Sequence, residues 1–242
     1  PQRRELDLTN KSQVLKYLSK VKPDFVFACA AYVGGIEANI KESYKFFINN
    51  LEIQNNLITS CHQNNIKNFA FFGSSCIYPK FANQPIREEE LLSGYLEKTN
   101  EAYAVAKIAG LKMCEYLRTK YKRNYFTIMP SNVYGENDNY NPNKSHVIPA
   151  LIYKIHKAKK NNQKVIKLFG TGNAKREFIF SEDLAKASIK AMQKNKNYSM
   201  INIGSGSEIT IKKLANIILK ISKHDAKFIF QEYKELYEKG II

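Results

Sequence analysis

Short apolar runs alternate with longer stretches of helical period along most of this chain. Residues 24–31 (Asp-Phe-Val-Phe-Ala-Cys-Ala-Ala) form a brief apolar run behind Lys22-Pro23, the pattern of a buried parallel strand. Residues 42–64 place Tyr44, Phe47, Ile48, Leu51, Ile53, Leu57 and Ile58 at helical spacing. Residues 68–73 predict a second buried strand, residues 99–121 a second long helix, and residues 125–130 a third strand that runs into Ser131-Asn-Val-Tyr-Gly135. Strand and helix in alternation predict an α/β domain built on a parallel sheet.

Beyond about residue 140 the pattern loosens. A helix over 147–160, a strand over 164–169, a helix opening at Ser181 as its N-cap, a short strand over 200–204 and a helix over 210–222 are expected. They predict a smaller C-terminal part near the carboxyl ends of the strands, where open α/β sheets bind ligands. Two segments, Gly73-Ser-Ser-Cys and Pro130-Ser-Asn-Val, follow strands there.

Composition narrows the class. With 44% hydrophobic and 25% charged residues the chain reads as soluble and globular, without an apolar run long enough for a membrane span and without a signal peptide. Its four cysteines have neither metal nor disulfide spacing, which predicts a reducing cytoplasm. The net charge of +16 suits either nucleic-acid binding or a lysine-rich solvated surface. The lysines are scattered among Asn and Ile, as over 157–164, so no nucleic-acid partner is expected. Their field favours an anionic nucleotide ligand. The chain opens at Pro1, without Met, directly into Arg-Arg-Glu-Leu-Asp-Leu, and is expected to lack its beginning.

The chemistry-bearing residues cluster on these elements. Tyr103 and Lys107 stand four apart on one helix face, where an ammonium is expected to lower a neighbouring phenol's pKa from about 10 toward a useful proton donor and acceptor. Ser74, Ser75 and Cys76 follow a strand, where a hydroxyl stabilises a developing oxyanion. Cys76 is either an acid–base thiol or a small buried hydrophobe. His146 precedes a helix and reads equally as a capping residue. His62, His156 and His224 receive no role.

These tracts carry a resemblance. Residues 30–36 (Ala-Ala-Tyr-Val-Gly-Gly-Ile), 73–80 (Gly-Ser-Ser-Cys-Ile-Tyr-Pro-Lys), 99–110, 141–150 and Arg176-Glu-Phe resemble the GDP-L-fucose synthase family, within the extended short-chain dehydrogenase/reductases, over about residues 3–222. The resemblance implies a Rossmann-type doubly wound parallel sheet. It puts an NADP-binding domain over 1–140 and a mainly substrate-binding part over 141–242, with a segment near 176–204 returning to the first. It implies NADP(H) as cofactor, a GDP-sugar as substrate, a homodimer through helices 42–64 and 99–121, and a cytoplasmic location. By the same resemblance Ser74 and Tyr103 contact the 4-keto oxygen, Lys107 holds the nicotinamide ribose, and Cys76 and His146 form the acid–base pair for epimerisation at C3 and C5. Phe72, Gly73, Ser74, Ser75, Pro130, Ser131, Asn132 and Val133 line the cofactor together with Lys107 and His146. Arg3 and Arg4 meet the adenosine 2′-phosphate. Lys154, Phe169 and Arg176 contact the GDP-sugar.

The sequence departs from that pattern in three ways. The Gly-rich pyrophosphate turn is missing, and the family would place it in roughly thirty residues before Pro1. Lys154 and Phe169 stand where the family often has arginine and tryptophan, a point charge for a fork. The tail after about residue 223 diverges. Two rival expectations follow: a 4-reductase of a related GDP-4-keto-6-deoxy-heptose that does not epimerise, and a non-catalytic remnant that binds a nucleotide sugar.

Overall fold

The computed structural model describes residues 4–141, 145–194 and 198–231. The chain divides into two compact units, one formed by residues 1–131 and 182–203, the other by 132–181 and 204–242. The first boundary therefore falls at Ser131, earlier than residue 140, and the returning segment is 182–203.

In the first unit, helix α1 (Lys11–Val21) opens on Asn10, whose side chain accepts from the Gln13 amide, and closes on Lys22 in the left-handed conformation. Next come strand β1 (Phe25–Ala28), short helix α2 (Ile36–Lys41), long helix α3 (Ser43–Gln63), β2 (Asn68–Phe72), long helix α4 (Glu101–Tyr121) and β3 (Asn124–Pro130). The sheet is parallel throughout, with Ala28 opposite Phe71 and Phe72 opposite Ile128. Its last strand, β7 (Met200–Ile203), arrives with the returning segment through helix α6 (Ser181–Lys194) and pairs with β3. Ser181, expected to cap that helix, is its first residue.

Val14, Ile58, Cys61, Phe69, Cys114 and Tyr125 are fully buried in one cluster beneath the sheet's helices. Each large member contributes roughly 2–3 kcal/mol by leaving water. Helices α3 and α4 approach closely because residue 110 is glycine: a Cβ there would meet the Phe71 ring at 2.7 Å and the Gln54 carboxamide at 2.8 Å.

Two expectations change. Among the described residues β1 ends the sheet and is only partly buried: Phe25 is 51% exposed, Ala28 is buried, and the strand borders a groove of about 560 Å³ lined by Leu6, Val14, Leu18, Phe27 and Ile53 among others. The core face of α3 agrees with the expected one at Leu57 and Ile58, which are buried, and departs from it in the first turns. Tyr44 is 74% exposed, while Phe46, Asn50 and Gln54 are buried.

The second unit contains β4 (Asn132–Tyr134), α5 (Val147–Lys160), β5 (Val165–Phe169), β6 (Lys175–Phe180), β8 (Glu208–Thr210), α7 (Ile211–Ser222) and β9 (Lys227–Gln231). β6 pairs with β4 in parallel and with β8 antiparallel; β5 pairs with β9 in parallel. Leu151 and Ile155 of α5, Ile166 and Leu168 of β5, and Leu214 and Ala215 of α7 form its core. Strands β6, β8 and β9, like α1 and α2, were not anticipated from the chain's periodicity. Among the described residues no helix is long and apolar enough to cross a membrane.

Candidate active site

The first unit gathers its candidate residues where β2 ends against α4. Lys107 is only 3% exposed; its Nζ donates to the Phe72 carbonyl at 2.8 Å and lies 4.6 Å from the Phe71 ring centroid. Burial pushes the ammonium's pKa down to about 8, with the thiols of Cys76 and Cys29 opposing that fall. Tyr103, one turn earlier, has its ring centroid 5.7 Å from that Nζ.

The expected lowering of the Tyr103 pKa by Lys107 is not found. Burial pushes the phenol well above its ordinary value, the neighbouring Cys76 raises it further, and only a hydrogen bond with Ser74 opposes the rise. The first cause is burial, which penalises the phenolate and decides the direction of the shift. In the ligand-free chain Tyr103 therefore carries its proton and is poised as a donor.

After Phe72 and buried Gly73, Ser74 is extended and leads into a 3-10 turn over Ser75–Ile77. The Cys76 Sγ–H donates to Ser74 Oγ at 3.2 Å. Burial pushes the Cys76 thiol up, while Ser74 and the Lys107 charge act against that. Ser74 Oγ thus accepts from Cys76, and the Ser74 hydroxyl also acts to lower the Tyr103 pKa. Ser75 is exposed on the turn. At the end of β3, Pro130 stands opposite Ile203, the Ser131 amide donates to the Ile203 carbonyl at 2.9 Å, and Ser131 Oγ is buried without a partner among the described residues. Arg4 is exposed; Arg3 lies outside the described residues.

In the second unit, Asn132 and Val133 sit on β4, and Asn132 Nδ2 donates to the Glu177 carbonyl at 2.9 Å. His146 is exposed immediately before α5, and its ring does not cap that helix. Lys154 of α5 holds its ammonium 4.5 Å above the ring of Phe169, which ends β5 and is 54% exposed. Partial burial lowers the Lys154 pKa. Arg176 is exposed on β6 and donates to the Lys175 carbonyl at 2.7 Å. The structure thus brings Phe72, Ser74, Cys76, Tyr103 and Lys107 together in one unit and Lys154 with Phe169 in the other.

Sequence reasoning missed Cys29, which follows β1 close enough to feel the Lys107 charge, and the buried carboxamides of α3. A cysteine within an Ala-rich strand end, and Asn and Gln four apart on an apolar helix, were the available signals.

Residues 2–204 match the family model described as the NAD dependent epimerase/dehydratase family. The chain belongs to that family. Among its relatives, GDP-L-fucose synthase 1 of Arabidopsis thaliana is 44% identical over 92% of this chain and 69% of its own length. A GDP-6-OMe-4-keto-L-xylo-heptose reductase from C. jejuni has a structure with a TM-score of 0.89 at 34% identity, covering 96% of this chain and 78% of that one. A GDP-L-fucose synthetase from Naegleria fowleri bound to NADP gives 0.88 at 26% identity, over 96% and 71%. Members of the NAD dependent epimerase/dehydratase family use a nicotinamide cofactor, and the residues present fit one. Lys107 is a buried ammonium with three N–H groups and one hydrogen-bond acceptor among the described residues, which suits it to ribose hydroxyls. The Ser131 hydroxyl is a second polar group, without a hydrogen-bond partner among the described residues.

Proposed function

We propose that this chain is an NADP(H)-dependent 3,5-epimerase and 4-reductase of GDP-4-keto-6-deoxy-D-mannose, giving GDP-L-fucose or a close relative. The observation that carries the reading is the cluster where β2 ends: the Cys76 thiol bonded to Ser74 Oγ, beside the buried Lys107 ammonium, which lies 5.7 Å from the Tyr103 ring centroid. The sequence kinship to GDP-L-fucose synthases supports the same assignment.

The chemistry follows from these groups. A C4 ketone acidifies the protons at C3 and C5, so a weak base and a weak acid invert each centre through an enolate. Cys76 and His146 are the pair that takes one proton and returns another. In the ligand-free chain Cys76 keeps its proton, and any thiolate formed is stabilised by Ser74 and the Lys107 charge. Ser74 hydrogen bonds to the C4 oxygen while charge develops there. Tyr103 then gives that oxygen its phenolic proton. Bound NADP(H) supplies the hydride to C4. Lys107, Phe72, Gly73, Ser75, Pro130, Ser131, Asn132 and Val133 hold the cofactor, with Arg3 and Arg4 at its 2′-phosphate. Lys154, Phe169 and Arg176 hold the GDP-sugar. The protein works in the cytoplasm as a homodimer through α3 and α4, whose exposed Tyr44, Val105 and Tyr116 offer an apolar surface.

A second reading has its own observation. The likeness to the C. jejuni heptose reductase, at a TM-score of 0.89, favours reduction of a related GDP-4-keto heptose. Steady-state NADPH oxidation with each sugar in turn separates the two. The main reading expects a kcat/KM at least tenfold higher for the GDP-4-keto-6-deoxy-mannose, and the reverse preference overturns it.

A further inference from the structure

Helix α3 carries a stripe at intervals of four: Glu42 at its N-cap, then Phe46, Asn50 and Gln54, which lie on one face. Each reaches toward the candidate site. Glu42 Oε2 accepts from the Tyr32 hydroxyl at 2.7 Å. The Phe46 ring packs edge-on against Tyr32 at 4.9 Å and against Tyr103 at 6.4 Å between centroids. Asn50, 2% exposed, accepts from the Tyr32 amide at 2.9 Å and donates to the Tyr32 carbonyl at 2.9 Å and the Phe46 carbonyl at 2.7 Å. Gln54, 3% exposed, donates to the Ala106 carbonyl of α4, next to Lys107.

The Asn50 carboxamide thus pairs both backbone groups of one residue, as a neighbouring strand would. The residue it clamps lies in the segment leaving β1, whose first member, Cys29, interacts electrostatically with Lys107. The segment has little freedom beside the stripe: a Cβ at Gly34 would lie 3.0 Å from the Phe46 ring.

We infer that Asn50 and Phe46 are positioning residues: the Asn50 carboxamide fixes the segment 29–34 beside Lys107, and Phe46 fixes the ring of Tyr103. The cofactor half of the site is preorganised from α3, a helix that holds none of the reacting groups. The inference rests on the epimerase/reductase reading for its kinetic consequences but not for its structural ones.

Its test combines hydrogen–deuterium exchange of the ligand-free protein with steady-state kinetics. Asn50→Ala is expected to speed exchange selectively over residues 29–34 and to raise the KM for NADPH roughly tenfold or more, with a smaller effect on kcat. Phe46→Leu is expected to leave that KM near its wild-type value, lower kcat several-fold and shift the alkaline limb of the kcat–pH profile, because the Tyr103 ring loses its neighbour. The comparison variant is Ile58→Ala, a fully buried core residue of the same helix. It lowers the melting temperature without either signature. Should Asn50→Ala not fold, Asn50→Ser is read by the same measurements. Wild-type exchange at 29–34 in Asn50→Ala, or the same kinetic losses in Ile58→Ala at matched melting temperature, overturns the inference. If the wild type neither binds NADPH nor turns over a GDP-4-keto sugar, the functional reading fails, and the exchange data still decide the clamp.

Discussion

Lys107 and Lys154 are both lysines on helices that pack against a strand, and both sit about 4.5 Å from a phenylalanine ring. Lys107 is buried, hydrogen bonded to the Phe72 carbonyl and lowered to about pKa 8. Lys154 is partly solvated, and the ring beneath it is 54% exposed. The first unit holds its reacting groups by burial and by hydrogen bonds to backbone. The second presents Phe169, Arg176 and His146 on exposed positions. Rigid, desolvated groups suit proton transfer, where a misplacement of about 1 Å can cost on the order of a hundredfold. Exposed groups suit contact with the nucleotide sugar, where exchange of one side chain tunes affinity. On the proposed reading the first unit holds the reducing groups, and the second holds the nucleotide-sugar contacts together with His146, so that mutations of Tyr103 and Phe169 should divide between kcat and KM.

The sharpest break in that comparison is Tyr103→Phe. Removing the proton donor should lower kcat by roughly 10³ while NADPH affinity stays near wild type. A loss confined to KM would place Tyr103 among the recognition residues instead.

Lys107 gives a stability test. Its folded pKa of about 8 lies below the ordinary 10.5, so between those values the unfolded chain binds a proton that the folded chain has lost. The burial penalty is full below about pH 8 and is relieved as pH rises toward 10.5. Denaturant unfolding of the wild type should therefore gain on the order of 3 kcal/mol across that window relative to Lys107→Met. Parallel pH dependences in the two proteins would contradict the buried ammonium.

Cys76→Ser should reduce incorporation of solvent hydrogen at C3 and C5 by about a hundredfold and spare part of the reduction. Unchanged exchange would remove Cys76 from the acid–base pair. The smallest effect is expected in the second unit. Phe169→Ala should raise the KM for the GDP-sugar roughly fivefold with kcat nearly constant, since an exposed ring and its cation contribute about 1 kcal/mol. A fall in kcat alone would blur the division between the units.

Much of this was legible in the chain, and the exceptions have a common cause. The strands at 68–72 and 124–130 and the helix at 101–121 follow from local apolar periodicity, and the Tyr103–Lys107 pair from helix geometry. The pKa relation of that pair is not legible, because the burial that raises the Tyr103 phenol comes from tertiary packing and not from helix spacing. The face of α3 in its first turns was misread for a similar reason. Periodicity counts apolar side chains, so Tyr44 was assigned to the core and Asn50 and Gln54 were not. A carboxamide that finds backbone partners can be buried at reduced desolvation cost: Asn50 does so through both its oxygen and its nitrogen, Gln54 through its nitrogen. β9 escaped notice because its partner, β5, lies about sixty residues away, beyond the reach of local pattern reading.

On the proposed reading one site both epimerises and reduces. That claim is tested most directly by turning over GDP-4-keto-6-deoxy-mannose with NADPH in D₂O and reading the product by mass and by proton NMR. Two deuterons on carbon, at C3 and C5, are predicted, with NADPH consumed in equal amount to product. A reduced product carrying no solvent deuterium on carbon would contradict the claim and leave a 4-reductase.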